Sequence, residues 1–102
     1  MESVKKSQLV VTRAVHNKIE KDDEFAKGVF SSLRRYYSGD WGDLCDEDRQ
    51  MNDNALKDGE RIVAVYNIGD DKIYIITEWD RSVTTILFPS EYWLNNQIER
   101  RE

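Results

Sequence analysis

The side chains best placed to do chemistry are crowded into one stretch, Ser38-Gly39-Asp40-Trp41-Gly42-Asp43-Leu44-Cys45-Asp46-Glu47-Asp48. Asp40, Asp43, Asp46, Glu47 and Asp48 supply carboxylates, no base interrupts them, and two glycines admit backbone shapes that other residues avoid. Three uses of this stretch stay open. It could be a tight connection, with Trp41 anchored in the core and the later acids at the start of a helix, where the dipole favours negative charge. It could be an acidic recognition surface aimed at a basic groove, with Asp40, Asp43, Asp46, Glu47 and Asp48 as the contact set and Trp41, if exposed, as its anchor. It could also hold a metal. His16 and Cys45 are the single copies of the two side chains zinc prefers, and Asp43 lies two residues before the cysteine. That makes His16, Asp43 and Cys45 the candidate zinc ligands, although no CxxC or HxxxH spacing supports them.

Catalytic chemistry has less to draw on. One histidine and one cysteine, far apart in sequence, form a nucleophilic pair only if the fold unites them. The chain has no phosphate-cradling glycine loop and no HExxH, so it reads as a binding protein and not an enzyme. At Glu78-Trp79-Asp80-Arg81, Arg81 could clamp an anion; the simpler expectation is an Asp-capped turn with an exposed ion pair.

The elements that must position these residues follow from periodicity. Residues 8–15 are apolar enough for a short strand or the start of a helix; if Thr12 is an N-cap, Val15 and Ile19 share a helix face. Asp22 or Asp23 caps the next helix. Its stripe is Phe25, Val29, Leu33 and Tyr36 or Tyr37, and Ser38-Gly39 stops it. A third helix is expected from about Asp46 to Lys57, with Met51, Ala55 and Leu56 inward and Gly59 as its stop. The period then changes to that of strands. Three runs, Arg61 to Ile68, Lys72 to Trp79 and Val83 to Phe88, are joined by short turns that force antiparallel pairing. Pro89 ends the last run, and Ser90 is expected to cap a final helix bearing Tyr92, Trp93, Leu94 and Ile98. The expected fold is α+β: N-terminal helices, a three-stranded antiparallel meander and a C-terminal helix, in a single domain over residues 1–102.

Bulk properties narrow the function. The net charge of −5 argues against direct nucleic-acid binding, which rests on neutralising phosphates, but suits a basic macromolecular partner. No apolar run approaches the roughly 20 residues that span a bilayer, no signal-peptide core follows Lys5 and Lys6, and one cysteine makes no internal disulfide, so a reducing cytoplasm is the expected location.

The segments SGDWGDL, MNDNAL and IYIITEWDRSVTTILFP resemble a family of short proteins carried by plasmids, phages and integrated elements. The likeness runs from about Asp22 to Tyr92. It implies an accessory gene on a mobile element and transfers no catalytic or binding residue. Small acidic proteins from such settings include anti-CRISPR and anti-restriction proteins. By that analogy the expected function is stoichiometric inhibition of a bacterial nucleic-acid-targeting defence effector, a Cas9-type enzyme foremost. The alternative is a small regulatory or accessory module of the element, with or without structural zinc.

Overall fold

Asp22 ends one helix and begins the next. Its extended backbone closes α2 (Arg13–Lys21), and its carboxylate accepts from the Phe25 N–H at 3.1 Å to cap α3 (Asp23–Tyr37). Thr12 caps α2 in the same way, its hydroxyl accepting from the Val15 N–H at 3.4 Å. In the computed structural model, which describes residues 1–92, α1 (Glu2–Lys6) and β1 (Gln8–Val11) precede these helices. α4 (Asp46–Asp58), β2 (Ile62–Ile68), β3 (Asp71–Thr77) and β4 (Val83–Leu87) follow them. Gly59 stops α4 in the left-handed conformation, as its place in the sequence suggested.

The expected meander is present: β2 pairs with β3 and β3 with β4, both antiparallel. The sheet is larger than the meander, however. β1 adds to β4 in parallel, giving the order β1-β4-β3-β2 in a four-stranded mixed sheet. The open choice at residues 8–15 is thus settled as strand then helix, and α1 is an element the periodicity did not announce.

Cross-strand partners share a face. Ile62, Ala64, Tyr66, Ile73, Ile75, Thr77, Thr84 and Ile86 form the face that joins the core, together with Val4, Val15, Phe25, Val29, Tyr36, Trp41 and Ala55 from the helices and the loop. α3 lies against β2 and β3, α2 against α3 and β4, and α4 against β2. The opposite face carries Ile76 and Leu87, both buried, and Tyr74, whose ring meets that of Tyr92 edge-on at 5.2 Å.

Through this core runs a chain of buried hydroxyls. The Ser7 hydroxyl donates to the Val4 carbonyl at 2.5 Å and lies 2.5 Å from that of Thr84. Thr84 lies 2.7 Å from Thr77, and Thr77 lies 2.6 Å from the Tyr36 hydroxyl. Each hydroxyl has one proton. Because Ser7 has given its proton to a carbonyl, Thr84 must donate to Ser7, Thr77 to Thr84 and Tyr36 to Thr77. Burial raises the Tyr36 pKa and keeps its donor proton in place.

Two packing expectations are corrected. Met51 is 66% exposed, and Asn52 takes the inward place beside Ala55. At the chain's far end the helical turn of 89–92 is set by Glu91, not by a Ser90 cap. The Glu91 carboxylate accepts from the Phe88 N–H at 2.9 Å and from the Thr12 hydroxyl at 3.0 Å, which leaves Pro89 in the first helical position, where its missing N–H costs nothing. The contacts expected of Trp93, Leu94 and Ile98 lie outside the described residues.

Candidate functional site

The acidic stretch divides into two halves with different uses. In the first half the carboxylates turn back on the fold. Asp40 accepts from the Arg35 guanidinium at 2.8 and 3.3 Å and from the Gly42 N–H at 3.0 Å. These bonds, Arg35 foremost, hold its pKa below the usual carboxylate range. Its carbonyl accepts from the Tyr66 hydroxyl at 2.6 Å, and the Arg35 guanidinium lies 5.2 Å from the centre of the Tyr66 ring. Trp41 is 3% exposed, edge-on to Tyr36 at 5.3 Å, with its ring N–H on the Asp53 carboxylate at 2.9 Å. As a buried side chain it is withdrawn from the surface contact set in which an exposed Trp41 was the anchor.

The backbone of this loop lies along β2. Gly42 bridges to Val65 in parallel sense; the Val65 N–H donates to the Trp41 carbonyl at 3.4 Å, and the Asp43 N–H donates to the Val65 carbonyl at 2.7 Å. The Asp43 carboxylate takes the Asn67 N–H at 2.8 Å. Further along the strand, the Asn52 side chain donates to the Val63 carbonyl at 2.8 Å and accepts from the Val63 N–H at 3.3 Å. Val63 and Val65 therefore have both outward backbone groups engaged and Asn67 its N–H, which closes most of this edge to further strands. Gly42 has φ +84°, and a Cβ there would overlap the Val65 carbonyl oxygen and the Tyr66 ring, so only glycine lets the loop approach this closely. The segments SGDWGDL and MNDNAL meet here, on one strand edge.

The second half of the stretch faces solvent. Cys45 is the N-cap of α4, exposed and without a side-chain capping bond; Asp46, Glu47 and Asp48 form the first turn of the helix, all exposed and with no cation within ion-pair distance among the described residues. Behind them a groove of about 280 Å³ lies between α4 and β2, lined by Leu44, Asp48, Met51, Arg61, Val63 and Tyr92. Arg61 reaches Glu78 at 3.5 Å and lies 5.7 Å from the centre of the Tyr92 ring.

The zinc expectation finds no such geometry. His16 is exposed on α2 beside Glu20 at 3.6 Å, Cys45 sits at the start of α4, and Asp43 is bonded to β2. Among the described residues no three His, Cys, Asp or Glu side chains gather where a metal could be held. At the other turn, Asp80 accepts from the Ser82 N–H at 3.0 Å and hydroxyl at 2.7 Å, which lowers its pKa. Arg81 does not pair with Asp80, so the ion pair expected at this turn is not formed. With φ +61° it sends its guanidinium to the carbonyls of Ala55, Glu60 and Glu78 at 2.6–3.1 Å, closing the C-terminal end of α4. Trp79 beside it is 67% exposed.

A larger cleft of about 730 Å³ lies between the α2–α3 junction and the β2–β3 turn, where Lys18 bridges Asp22 and Asp71 at 3.7 and 3.6 Å. Lys18 is thus satisfied internally, whereas the α4 turn has no ion-pair partner among the described residues. No family model matches the chain, and neither a curated protein nor a solved structure matches it. Among the described residues no helix is long and apolar enough to cross a membrane.

Proposed function

We propose that the protein acts by docking the first turn of α4 and the groove behind it onto a basic surface of another macromolecule. The observation that carries this reading is the exposed trio Asp46, Glu47 and Asp48, which have no ion-pair partner among the described residues, whereas Asp40 and Asp43 are engaged. Met51, one turn on and 66% exposed, gives the acidic turn an apolar neighbour, and Leu44 and Val63 line the groove beside it. Charge steers the encounter, and a desolvated apolar contact inside a charged rim supplies the hold.

The partner class that suits this surface, and the mobile-element resemblance of the sequence, is a nucleic-acid-targeting defence effector whose channels are lined with Lys and Arg. The protein would then be a stoichiometric inhibitor that occupies such a surface without chemistry. Two measurements test it. Expression in a host with an active defence system should relieve plasmid interference, and the effector should be recovered with the protein. Asp46→Lys/Glu47→Lys/Asp48→Lys should weaken that complex at least tenfold, about 1.4 kcal/mol, with a loss that shrinks as salt rises. Recovery of only the element's own proteins would favour the accessory-module reading. Undiminished binding by a folded triple variant would move the interface off α4.

A further inference from the structure

The two edges of the sheet are finished differently. β2 is closed by Trp41, Gly42, Asp43 and Asn52, whereas β1, at the other edge, has no such cover among the described residues. In a parallel ladder alternate residues turn both backbone groups to the same side. The Gln8 N–H donates to the Ser82 carbonyl at 3.0 Å and that of Thr12 to the Ile86 carbonyl at 3.1 Å. Gln8, Val10 and Thr12 therefore face β4, and Leu9 and Val11 turn their N–H and C=O outward. The side chains on this edge are apolar and accessible, Leu9 at 43% and Val10 at 38%. Lys5 and Lys6 precede the strand and Arg13 follows it, all exposed and none within ion-pair distance of a carboxylate among the described residues.

We infer that β1 is a docking edge for an extended acidic segment of another protein, which adds to the sheet as a further strand. Backbone groups of the segment meet the outward N–H and C=O of Leu9 and Val11, its apolar side chains cover Leu9 and Val10, and its carboxylates meet Lys5, Lys6 and Arg13. Charge decides between this occupant and a second copy of the chain. Two β1 strands paired across a two-fold axis would bring both Lys5–Lys6–Arg13 sets together, and like charges across an interface oppose association. β1 is four residues long and offers few backbone bonds, so charge must supply much of the affinity. This surface lies at the opposite edge from the α4 groove and stands independently of it.

The test uses the full chain and a short synthetic peptide of central valines flanked at both ends by glutamates, with a lysine-flanked peptide as its counterpart, read by amide hydrogen exchange at Leu9 and Val11. The glutamate peptide should slow exchange at both amides at least tenfold, added salt should weaken its binding, and the lysine peptide should do neither. Lys5→Glu/Lys6→Glu/Arg13→Glu should exchange the preference of the two peptides. Leu9→Pro removes an outward N–H without touching a bond to β4, and with the circular dichroism unchanged it should abolish peptide protection of Val11. Absence of protection by the glutamate peptide, or equal binding of both peptides, overturns the proposal. Protection that grows with protein concentration when no peptide is present also overturns it, by giving the edge to a second copy.

Discussion

The buried hydroxyl chain allows the cost of a substitution to be worked out by counting protons. Thr84→Val removes a hydroxyl at nearly constant volume and takes two bonds with it, Thr84 to Ser7 and Thr77 to Thr84. Thr77 and Tyr36 are then left with two donor protons and one mutual bond. Whichever way that bond points, one donor is buried without an acceptor. A lost bond costs about 1 kcal/mol and a stranded buried donor about 1–3 kcal/mol, so Thr84→Val should cost about 2–4 kcal/mol. Tyr36→Phe is milder although its side chain is larger. It removes only the head of the chain, Thr77 keeps its bond to Thr84, and no donor is stranded, so the cost should be about 1 kcal/mol. The double variant exposes the logic most sharply. With valine at 84, removing the Tyr36 hydroxyl takes the last bond from Thr77 but strands no further donor, so the combined cost should equal the sum of the two singles within about 0.5 kcal/mol. Urea unfolding at constant m-value measures all three. Equal costs for the two single variants, or a combined cost well below their sum, would refute the donor order Tyr36–Thr77–Thr84–Ser7.

Two further outcomes are expected. Asn52→Leu keeps an apolar filling beside Ala55 but strips both bonds from Val63, so it should cost about 2–3 kcal/mol and speed hydrogen exchange of the Val63 amide, while protection at Ile75 in the centre of the sheet falls only with global stability. The Asp40 pKa is depressed in the fold, so its contribution to stability is present above the unfolded value of about 3.9 and is lost as pH falls through the lower folded value. Arg35→Gln should return the Asp40 carboxyl titration, followed by carbon NMR, toward the ordinary range and flatten that part of the acid limb; an unchanged titration would assign the depression to the Gly42 N–H instead. Because this ion pair is nearly half exposed, added salt should reproduce part of the effect.

Local chemistry explains which parts of this fold could be read from the sequence. Thr12 and Asp22 cap helices because a hydroxyl or carboxylate three residues before an N–H reaches it without help from the rest of the chain. The β2–β3–β4 meander follows from alternation and short turns. The fourth strand depends on a partner far away in sequence, and residues 8–11 are too few for their period to choose between strand and helix. Met51 and Asn52 both lie one turn before Ala55, at i−4 and i−3, so helical phase admitted either, and apolarity favoured the wrong one. The acidic stretch misled in another way. Composition reports that a carboxylate is present but not where it points, and Asp40 and Asp43 point at backbone N–H groups of their own chain. An asparagine on an otherwise inward helical position was the one available sign of edge closure, since a buried amide needs both a donor and an acceptor and a strand edge supplies them.

The closed edge also bears on how the open one can be used. A sheet with two free edges accepts a strand on each side and can continue to grow, which is the route to strand-stacked aggregates. Here the outward groups of Val63 and Val65 and the N–H of Asn67 are already bonded, and Gly42 lets the loop approach β2 with no Cβ in the way. A strand added at β1 therefore has no second site to recruit on the same sheet, and addition ends at one partner. Exposed apolar side chains at Leu9 and Val10 are tolerable on such a sheet because growth from them is limited to a single step, and the basic flanks Lys5, Lys6 and Arg13 oppose pairing with another copy. Closure at β2 and openness at β1 are in this sense one device: the first restricts the second to a one-to-one encounter.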